Sequence, residues 1–186
     1  MKGIIVIPTY NERENLSALV EQVLGYEGCR VMIVDDQSPD GTGELADGLA
    51  RLAPGRVQVV HRTDTRGLGR SYIEGFRLAL QGDADLICQM DADFSHDPRY
   101  LPVLLEAARE ADLVLGSRWI PGGGTVNWGL GRKIVSRGGS LYARAILGVG
   151  VRDLTGGFKC FRREVLEAID LTVEAGAFLG IIGPNG

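Results

Sequence analysis

The stretch Asp85-Leu86-Ile87-Cys88-Gln89-Met90-Asp91-Ala92-Asp93 decides the reading of this chain. An apolar run of strand length ends abruptly in two carboxylates separated by one alanine. A short apolar run bounded by polar residues predicts a buried strand. Two neighbouring carboxylates repel unless a proton or cation neutralises them. A hard divalent ion such as Mg²⁺ or Mn²⁺, shared with substrate phosphates, meets that need. A solvated acidic loop is the other reading of the pair by itself. Ser95 follows closely enough to add an oxygen to such an ion, whereas His96 reads more readily as a loop-stabilising residue than as a ligand.

Outward from this point the same unit repeats. Lys2–Pro8, Arg30–Val34, Val57–Val60 and Leu113–Gly116 read as further strands. Between them, helical spacing of apolar residues predicts helices from Asn11, from about Thr42 to Leu52, over Leu68–Leu80 and over Pro98–Ala111. Asp40-Gly41 is turn chemistry, and Asp40 is a candidate cap for the second helix. Alternating strands and helices with short connections predict a Rossmann-like, mostly parallel sheet with helices on both faces. Such sheets bind ligands outside the carboxyl ends of their strands. Thr9-Tyr10, Asp35-Asp36, Asp91-Ala92-Asp93 and Ser117-Arg118 all fall directly after predicted strands. Asp36 is there a candidate acceptor for a base or ribose. No Gly-x-Gly-x-x-Gly follows the first strand, which disfavours a nicotinamide or flavin enzyme.

The 186 residues, 45% hydrophobic and 24% charged, predict a soluble globular chain. No apolar run reaches the roughly 20 residues of a membrane span, and the opening residues do not read as a signal peptide. Cys29, Cys88 and Cys160 have no metal or redox spacing and are expected reduced and buried, in a cytosolic setting. Net charge is −4 but segregated: residues 1–98 hold 9 basic and 16 acidic residues, residues 99–163 hold 11 basic and 4 acidic. Ordinary scatter is one reading. The other is an acidic half facing a cation and a basic half facing phosphate or anionic lipid. The low isoelectric point and sparse aromatics speak against nucleic acid. Gly131–Gly148 carries Arg132, Lys133, Arg137 and Arg144 beside apolar residues at helical spacing. It reads either as a helix packed on the domain or as an interfacial helix near lipid headgroups, with a break conceivable at Gly138-Gly139.

Six ordered motifs carry a family resemblance. They are Ile7-Pro8-Thr9-Tyr10-Asn11-Glu12-Arg13-Glu14-Asn15, Val34-Asp35-Asp36-Gln37-Ser38-Pro39-Asp40-Gly41-Thr42, Met90-Asp91-Ala92-Asp93-Phe94-Ser95-His96, Gly116-Ser117-Arg118-Trp119, Arg132-Lys133-Ile134-Val135-Ser136-Arg137-Gly138 and Asp153-Leu154-Thr155-Gly156-Gly157-Phe158-Lys159. Over about residues 3–170 the chain resembles the family 2 glycosyltransferases of GT-A fold, and among them the dolichyl- and polyprenyl-phosphate mannosyltransferases. The resemblance implies inverting transfer of mannose from GDP-mannose to a polyprenyl (dolichyl) phosphate at the cytoplasmic face of a membrane. It implies Mg²⁺ or Mn²⁺ as cofactor, and it leaves room for a separate membrane-anchoring subunit. Carried over by position, Pro8, Tyr10, Glu12, Val34 and Asp36 would hold the guanosine. Asp91, Ala92 and Asp93 would lie at the diphosphate and metal, with Asp91, Asp93 and Ser95 as the ligand set. Asp91, Asp93 and Arg118 would be the catalytic groups, Arg118 facing the phosphates. A phosphate monoester is largely dianionic at neutral pH, so the acceptor could attack without a general base. Transfer from another donor such as UDP-glucose to undecaprenyl phosphate, and a non-catalytic nucleotide-sugar-binding module, are the alternatives.

Past about Asp170 the family pattern stops. Residues 171–186, ending Gly180-Ile181-Ile182-Gly183-Pro184-Asn185-Gly186, resemble the opening of an ABC-transporter ATPase domain cut within its phosphate loop. The expectation is therefore a C-terminally incomplete transferase domain over 1–170 and a non-family tail over 171–186.

Overall fold

The computed structural model describes residues 2–120, 130–147, 153 and 156–168. Six strands form one sheet: β1 (Gly3–Thr9), β2 (Cys29–Asp35), β3 (Val57–His61), β4 (Leu86–Gln89), β5 (Leu113–Leu115) and β6 (Lys159–Arg162). Their order is β3-β2-β1-β4-β6-β5. β1 pairs in parallel with β2 and β4, and β2 with β3. β6 runs antiparallel between β4 and β5. The helices are α1 (Arg13–Leu24), α2 (Thr42–Leu52), α3 (Leu68–Gln81), α4 (Leu101–Ala107), α5 (Leu130–Leu147) and α6 (Arg163–Glu167).

The continuous apolar runs of the strands follow from burial on both faces. Successive side chains alternate across a sheet. Ile5, Ile7, Val31, Ile33, Leu86 and Cys88 accordingly meet Leu16, Leu19 and Val23 of α1, Ala46 of α2 and Leu101 and Leu104 of α4. Ile4, Val6, Met32, Val34 and Ile87 meet Tyr72, Phe76 and Ala79 of α3 and Leu166 of α6. All three cysteines are free and buried.

Three details depart from the sequence reading. β6 was not anticipated, because a four-residue Lys-Cys-Phe-Arg run has no strand signature of its own. It exists through pairing on both sides. The helix expected over Pro98–Ala111 is a 3₁₀ turn at Pro98–Tyr100 followed by α4, which stops at Ala107. Beyond it, Arg109 N–H and Glu110 N–H donate to carbonyls only three residues back, so the α ladder has ended. α5 runs unbroken through Gly138-Gly139. The boundary near 170 and the tail 171–186 lie outside the described residues.

The strand order creates the crevice. Pairing of β1 with β4 ends at Val6 opposite Gln89, and Met90 N–H makes the last bond, to the Val6 carbonyl. Pro8, which lacks an N–H, lies just beyond, where that ladder has already ended. The order reverses between β1 and β4, and the two chains part above that switch point, as ligand-binding α/β sheets do.

α3 crosses the sheet at Gly75, where a Cβ would lie 3.1 Å from Val34 Cγ2 and closer still to Val6 Cγ1. Gly75→Ala should therefore destabilise the fold by about 1–3 kcal/mol through overpacking, read as a lowered urea midpoint at unchanged m-value. An unchanged midpoint would show that α3 does not need this approach.

Candidate active site

The loops that leave β1, β2 and β4 each contain a non-glycine residue in the left-handed region: Asn11 (φ 60°), Gln37 (φ 64°) and Phe94 (φ 58°). Such conformations persist only where the surroundings impose them. Here hydrogen bonds tie the loops together. Asn11 N–H donates to Ser38 Oγ (3.0 Å) and Glu12 N–H to Thr42 Oγ1 (3.0 Å). Thr42 in turn donates to Asp40 Oδ1 through its hydroxyl (2.6 Å) and its N–H (3.0 Å). These bonds to Asp40 hold its carboxyl below the usual range, the Thr42 hydroxyl most of all.

Asp36 is buried and doubly engaged. One carboxylate oxygen accepts from Arg62 Nη1 and the other from Gly67 N–H at 2.7 Å. Arg62, itself buried, also donates to Glu74 (2.8 Å) and to the Thr65 carbonyl (3.1 Å). The neighbouring Asp35 accepts from Thr9 Oγ1 (3.1 Å) and Ser38 N–H (3.2 Å). Tyr10 stands half exposed after β1, its hydroxyl accepting from Arg66 Nη1 at 2.6 Å. Val34 and Pro8 are buried in register opposite one another. The Val34 side chain belongs to the core beneath α3, so it positions Asp35-Asp36 and presents no side chain to the crevice.

Asp91, Ala92 and Asp93 leave β4 on the opposite bank. Ala92 is buried. Tyr72 of α3 donates its hydroxyl to Asp91 Oδ1 at 2.7 Å. Burial, reinforced by Asp91 itself, pushes the Tyr72 hydroxyl well up, so it remains a proton donor. His96 accepts from Asp91 N–H through Nδ1 (3.1 Å) and stacks on Phe158. Burial holds its imidazole down, toward the neutral form, against the pull of Asp91 and Asp93. Asp93 is exposed and accepts from Ser95 N–H at 2.9 Å. Glu12 completes the acidic rim. Burial raises its carboxyl, the bond from Asn15 opposes this, and the fields of Asp93, Asp40 and Asp91 raise it further.

Asp91 and Asp93 offer the hard oxygen donors that Mg²⁺ or Mn²⁺ takes. Among the described residues no three His, Cys, Asp or Glu side chains converge on one point. With two carboxylates from this segment, water and substrate would supply further ligands to such an ion.

Arg118 does not stand open toward this rim. Its Nε and Nη2 donate to Asp153 at 2.8 and 2.7 Å, and its N–H adds a third bond at 3.0 Å. Asp153 is fully buried. The expectation of an arginine facing phosphates thus meets a bidentate ion pair at the crevice wall. Glycines let that wall close. A Cβ at Gly157 would lie 2.9 Å from both Asp91 Oδ2 and His96 Cε1, and one at Gly156 would lie 2.9 Å from the Gly116 carbonyl. Lys159, half-buried on β6, is held down by burial although Asp91 and Asp153 favour its charge.

Arg62 and Tyr72 belong to this constellation and were not singled out from sequence, whereas Gly157 and Lys159 stand in the last of the six motifs without a role assigned to them. Arg62 directly follows a strand and would have been found by asking what neutralises Asp36. Tyr72 sits mid-helix among apolar residues and carries no such signal.

The chain matches Glycosyl transferase family 2 over residues 4–170. It is 48% identical over 175 residues to a polyprenol monophosphomannose synthase of Mycolicibacterium smegmatis, covering 92% of this chain and 65% of that protein. It is 49% identical to an undecaprenyl-phosphate mannosyltransferase of Micrococcus luteus, covering 92% of this chain and 70% of the relative. A dolichol-phosphate mannosyltransferase of Pyrococcus furiosus is 38% identical, with 49% of its length covered. The chain thus spans about half to two thirds of the length of these relatives. Among solved structures, a glucosyl-3-phosphoglycerate synthase from Mycobacterium tuberculosis in complex with Mn²⁺, UDP and phosphoglyceric acid superposes with a TM-score of 0.63 at 18% identity, over 88% of this chain and 56% of that one. A mannosyltransferase from Pyrobaculum calidifontis in complex with GDP-Man and Mn²⁺ gives 0.59 at 19%, over 89% and 46%. The sheet with its reversed strand order has the GT-A architecture of these neighbours, and by sequence the chain belongs to glycosyl transferase family 2.

Proposed function

We propose that this chain transfers mannose from GDP-mannose to a polyprenyl phosphate, with inversion. The observation that carries this reading is the crevice between Tyr10-Asn11-Glu12 and Asp91-Ala92-Asp93, in a chain nearly half identical to two polyprenyl-phosphate mannosyltransferases. Strands lie about 4.8 Å apart, so the end of β2 and the end of β4 are separated by about 10 Å. That span suits a nucleoside at Tyr10 and Asp36 and a diphosphate at Asp91 and Asp93. A divalent ion held by Asp91 and Asp93, with Ser95 near, would neutralise charge developing on the departing nucleoside diphosphate. Tyr72 fixes the Asp91 carboxylate, and Gly157 allows the opposite wall to approach it. His96 serves the Asp91 backbone and Phe158 rather than a substrate proton, consistent with an acceptor phosphate that attacks already ionised. Arg118 acts as part of its pair with Asp153. Residues 1–170 are proposed as the transferase unit and 171–186 as a segment outside it, whose likeness to an ATPase phosphate loop rests on sequence alone.

Two titrations and one assay test the reading. GDP-mannose should bind measurably better with Mn²⁺ than with EDTA, and labelled mannose should pass into the organic phase with a polyprenyl phosphate. Binding without transfer would leave a nucleotide-sugar-binding module. No binding under either condition would refute the proposal.

Within that framework, Asp93→Asn should remove the Mn²⁺ dependence of nucleotide affinity while sparing thermal stability, since Asp93 is exposed. Gly157→Ala should weaken the same dependence by displacing Asp91. Wild-type Mn²⁺ dependence in Asp93→Asn would exclude Asp93 as a ligand.

Membrane association is the remaining part of the proposal. No helix among the described residues is long and apolar enough to cross a membrane. α5 instead leaves Val135, Leu141, Tyr142 and Ile146 more than 60% exposed on a helix that also carries an exposed Arg137. Apolar residues beside cations are the makeup of an interfacial helix. The purified protein should co-sediment with anionic vesicles, less so in 0.5 M salt. Equal binding to neutral vesicles at both salt concentrations would remove the electrostatic contribution.

A further inference from the structure

Two thiols in the core take no part in the crevice chemistry. Cys88 of β4 and Cys160 of β6 stand directly opposite one another in the antiparallel pair, and both are fully buried. The flanking backbone bonds identify the kind of position they occupy. Gly116 N–H donates to the Phe158 carbonyl and Arg162 N–H to the Asp112 carbonyl, each between residues opposed in the β5–β6 register. Phe158, Cys160 and Arg162 therefore turn their backbone bonds toward β5. On the other side Arg163 N–H donates to the Asp85 carbonyl, so the bonds to β4 fall at Phe161 and Lys159. Cys88 and Cys160 are thus a non-hydrogen-bonded pair, in which opposed Cα atoms approach to about 4.5 Å and side chains lie closest. A disulfide spans Cα separations of roughly 4.4–6.8 Å.

Both thiols lie in the core beneath α1 and α4, within hydrogen-bond reach of one another. The third cysteine does not share this geometry. Cys29 begins β2, and β1 lies between β2 and β4. Two strand spacings amount to about 10 Å, beyond the reach of a disulfide.

We propose that Cys88 and Cys160 are a latent cross-strand disulfide, formed by exchange with a small-molecule disulfide such as oxidised glutathione when β6 parts from β4. In the closed sheet the pair is protected. The bond to Cys160 and burial push the Cys88 thiol well up, away from the reactive thiolate. Local opening of the strand pair exposes both sulfurs. One protein thiolate then attacks the reagent, forming a mixed disulfide and releasing one glutathione. The other attacks the protein sulfur of that mixed disulfide and releases the second glutathione. Two protein thiols are oxidised, one glutathione disulfide is reduced, and the two thiol protons end on the departing glutathiones. The bond ties β6, which follows Gly157 and begins with Lys159, to the strand that runs into Asp91. Oxidation thereby locks the second wall of the crevice in its closed position. It also closes a long loop and so restricts the unfolded chain.

The reduced full chain, incubated with oxidised glutathione in urea below its unfolding midpoint, tests this by intact mass and by peptide mapping after alkylation. The expected product has lost two hydrogens, joins the Cys88 and Cys160 peptides and leaves Cys29 alkylated. Its urea midpoint should rise above that of the reduced chain and fall back on addition of dithiothreitol. Cys29→Ser should form the same bond, and Cys88→Ser should carry glutathione adducts only. A bond through Cys29, a mixture of pairings, adducts without an internal bond in the wild type, or no reaction would overturn the proposal. So would an internal bond that leaves the midpoint unchanged or lowers it, because the native register would then not accommodate it. Should Cys88→Ser fail to fold, the wild-type peptide map and midpoint still decide the matter.

Discussion

The carboxyl end of this sheet collects negative charge, and the structure is organised around containing it. Asp35 and Asp36 leave β2, Asp91 and Asp93 leave β4, and Glu12 and Asp40 stand between them. Asp36, buried at the end of β2, is matched by Arg62, whose side chain is 3% exposed. A buried pair of this kind is weak evidence for net stability, because both ions lose their hydration. Removing one partner is another matter, since an uncompensated buried charge costs about 3–5 kcal/mol. The pair therefore acts as a registration device. Arg62 reaches Asp36, Glu74 and the Thr65 carbonyl at once, which fixes β2, α3 and the loop after β3 in one arrangement. With Asp36 so held, its second oxygen receives Gly67 N–H, and the loop that carries Arg66 takes its place.

A different solution holds the other side of the crevice. Asp91 lies at the end of a central strand, and a phenolic hydroxyl and its own backbone bond to His96 fix it without cancelling its charge. Arg118, the cation that could have neutralised the site, is tied instead to the fully buried Asp153. The result is a rim whose inner members are oriented but whose outer member, Asp93, remains exposed. Burial raises the Glu12 carboxyl, and the fields of Asp93, Asp40 and Asp91 add to that rise. Under the proposed reading, Asp91 and Asp93 would meet a cation shared with a diphosphate.

The central fold was legible because its strands advertise themselves. Ile4-Ile5-Val6-Ile7 and Val31-Met32-Ile33-Val34 are apolar at every position, which only a strand covered on both faces explains, and the polar residues that end them mark the ligand side. What the sequence obscured was long-range. β6 is a strand because Cys160 and Phe161 find partners in β4 and β5, not because four residues prefer extension. α4 was overextended because apolar spacing continues after the backbone ladder has ended. The site was legible as a set of carboxylates at strand ends, and less so as a network. Val34 sits in a motif yet turns its side chain into the core. Arg118 reads as a phosphate-facing cation, and its pairing with Asp153, 35 residues away, could not be read from sequence. Ion pairs between distant segments leave no local signature.

The glycines of the Asp153–Lys159 motif show why residue identity there is a property of the site. Gly157 has no positive φ to justify it. It is glycine because Asp91 Oδ2 and the His96 ring occupy the space a methyl group would take. Gly156 is similarly pressed against the Gly116 carbonyl, at the root of the loop that carries Arg118. The two glycines thus bring β6, the antiparallel strand inserted between β4 and β5, against both the carboxylate bank and the arginine wall. Lys159, next but one, is drawn into partial burial by the same approach, with Asp91 and Asp153 on hand to favour its charge. The inserted strand is therefore more than an edge extension of a parallel sheet. It carries the second wall of the crevice, and the close packing of that wall on Asp91 makes the position of one carboxylate depend on a segment more than sixty residues further along the chain.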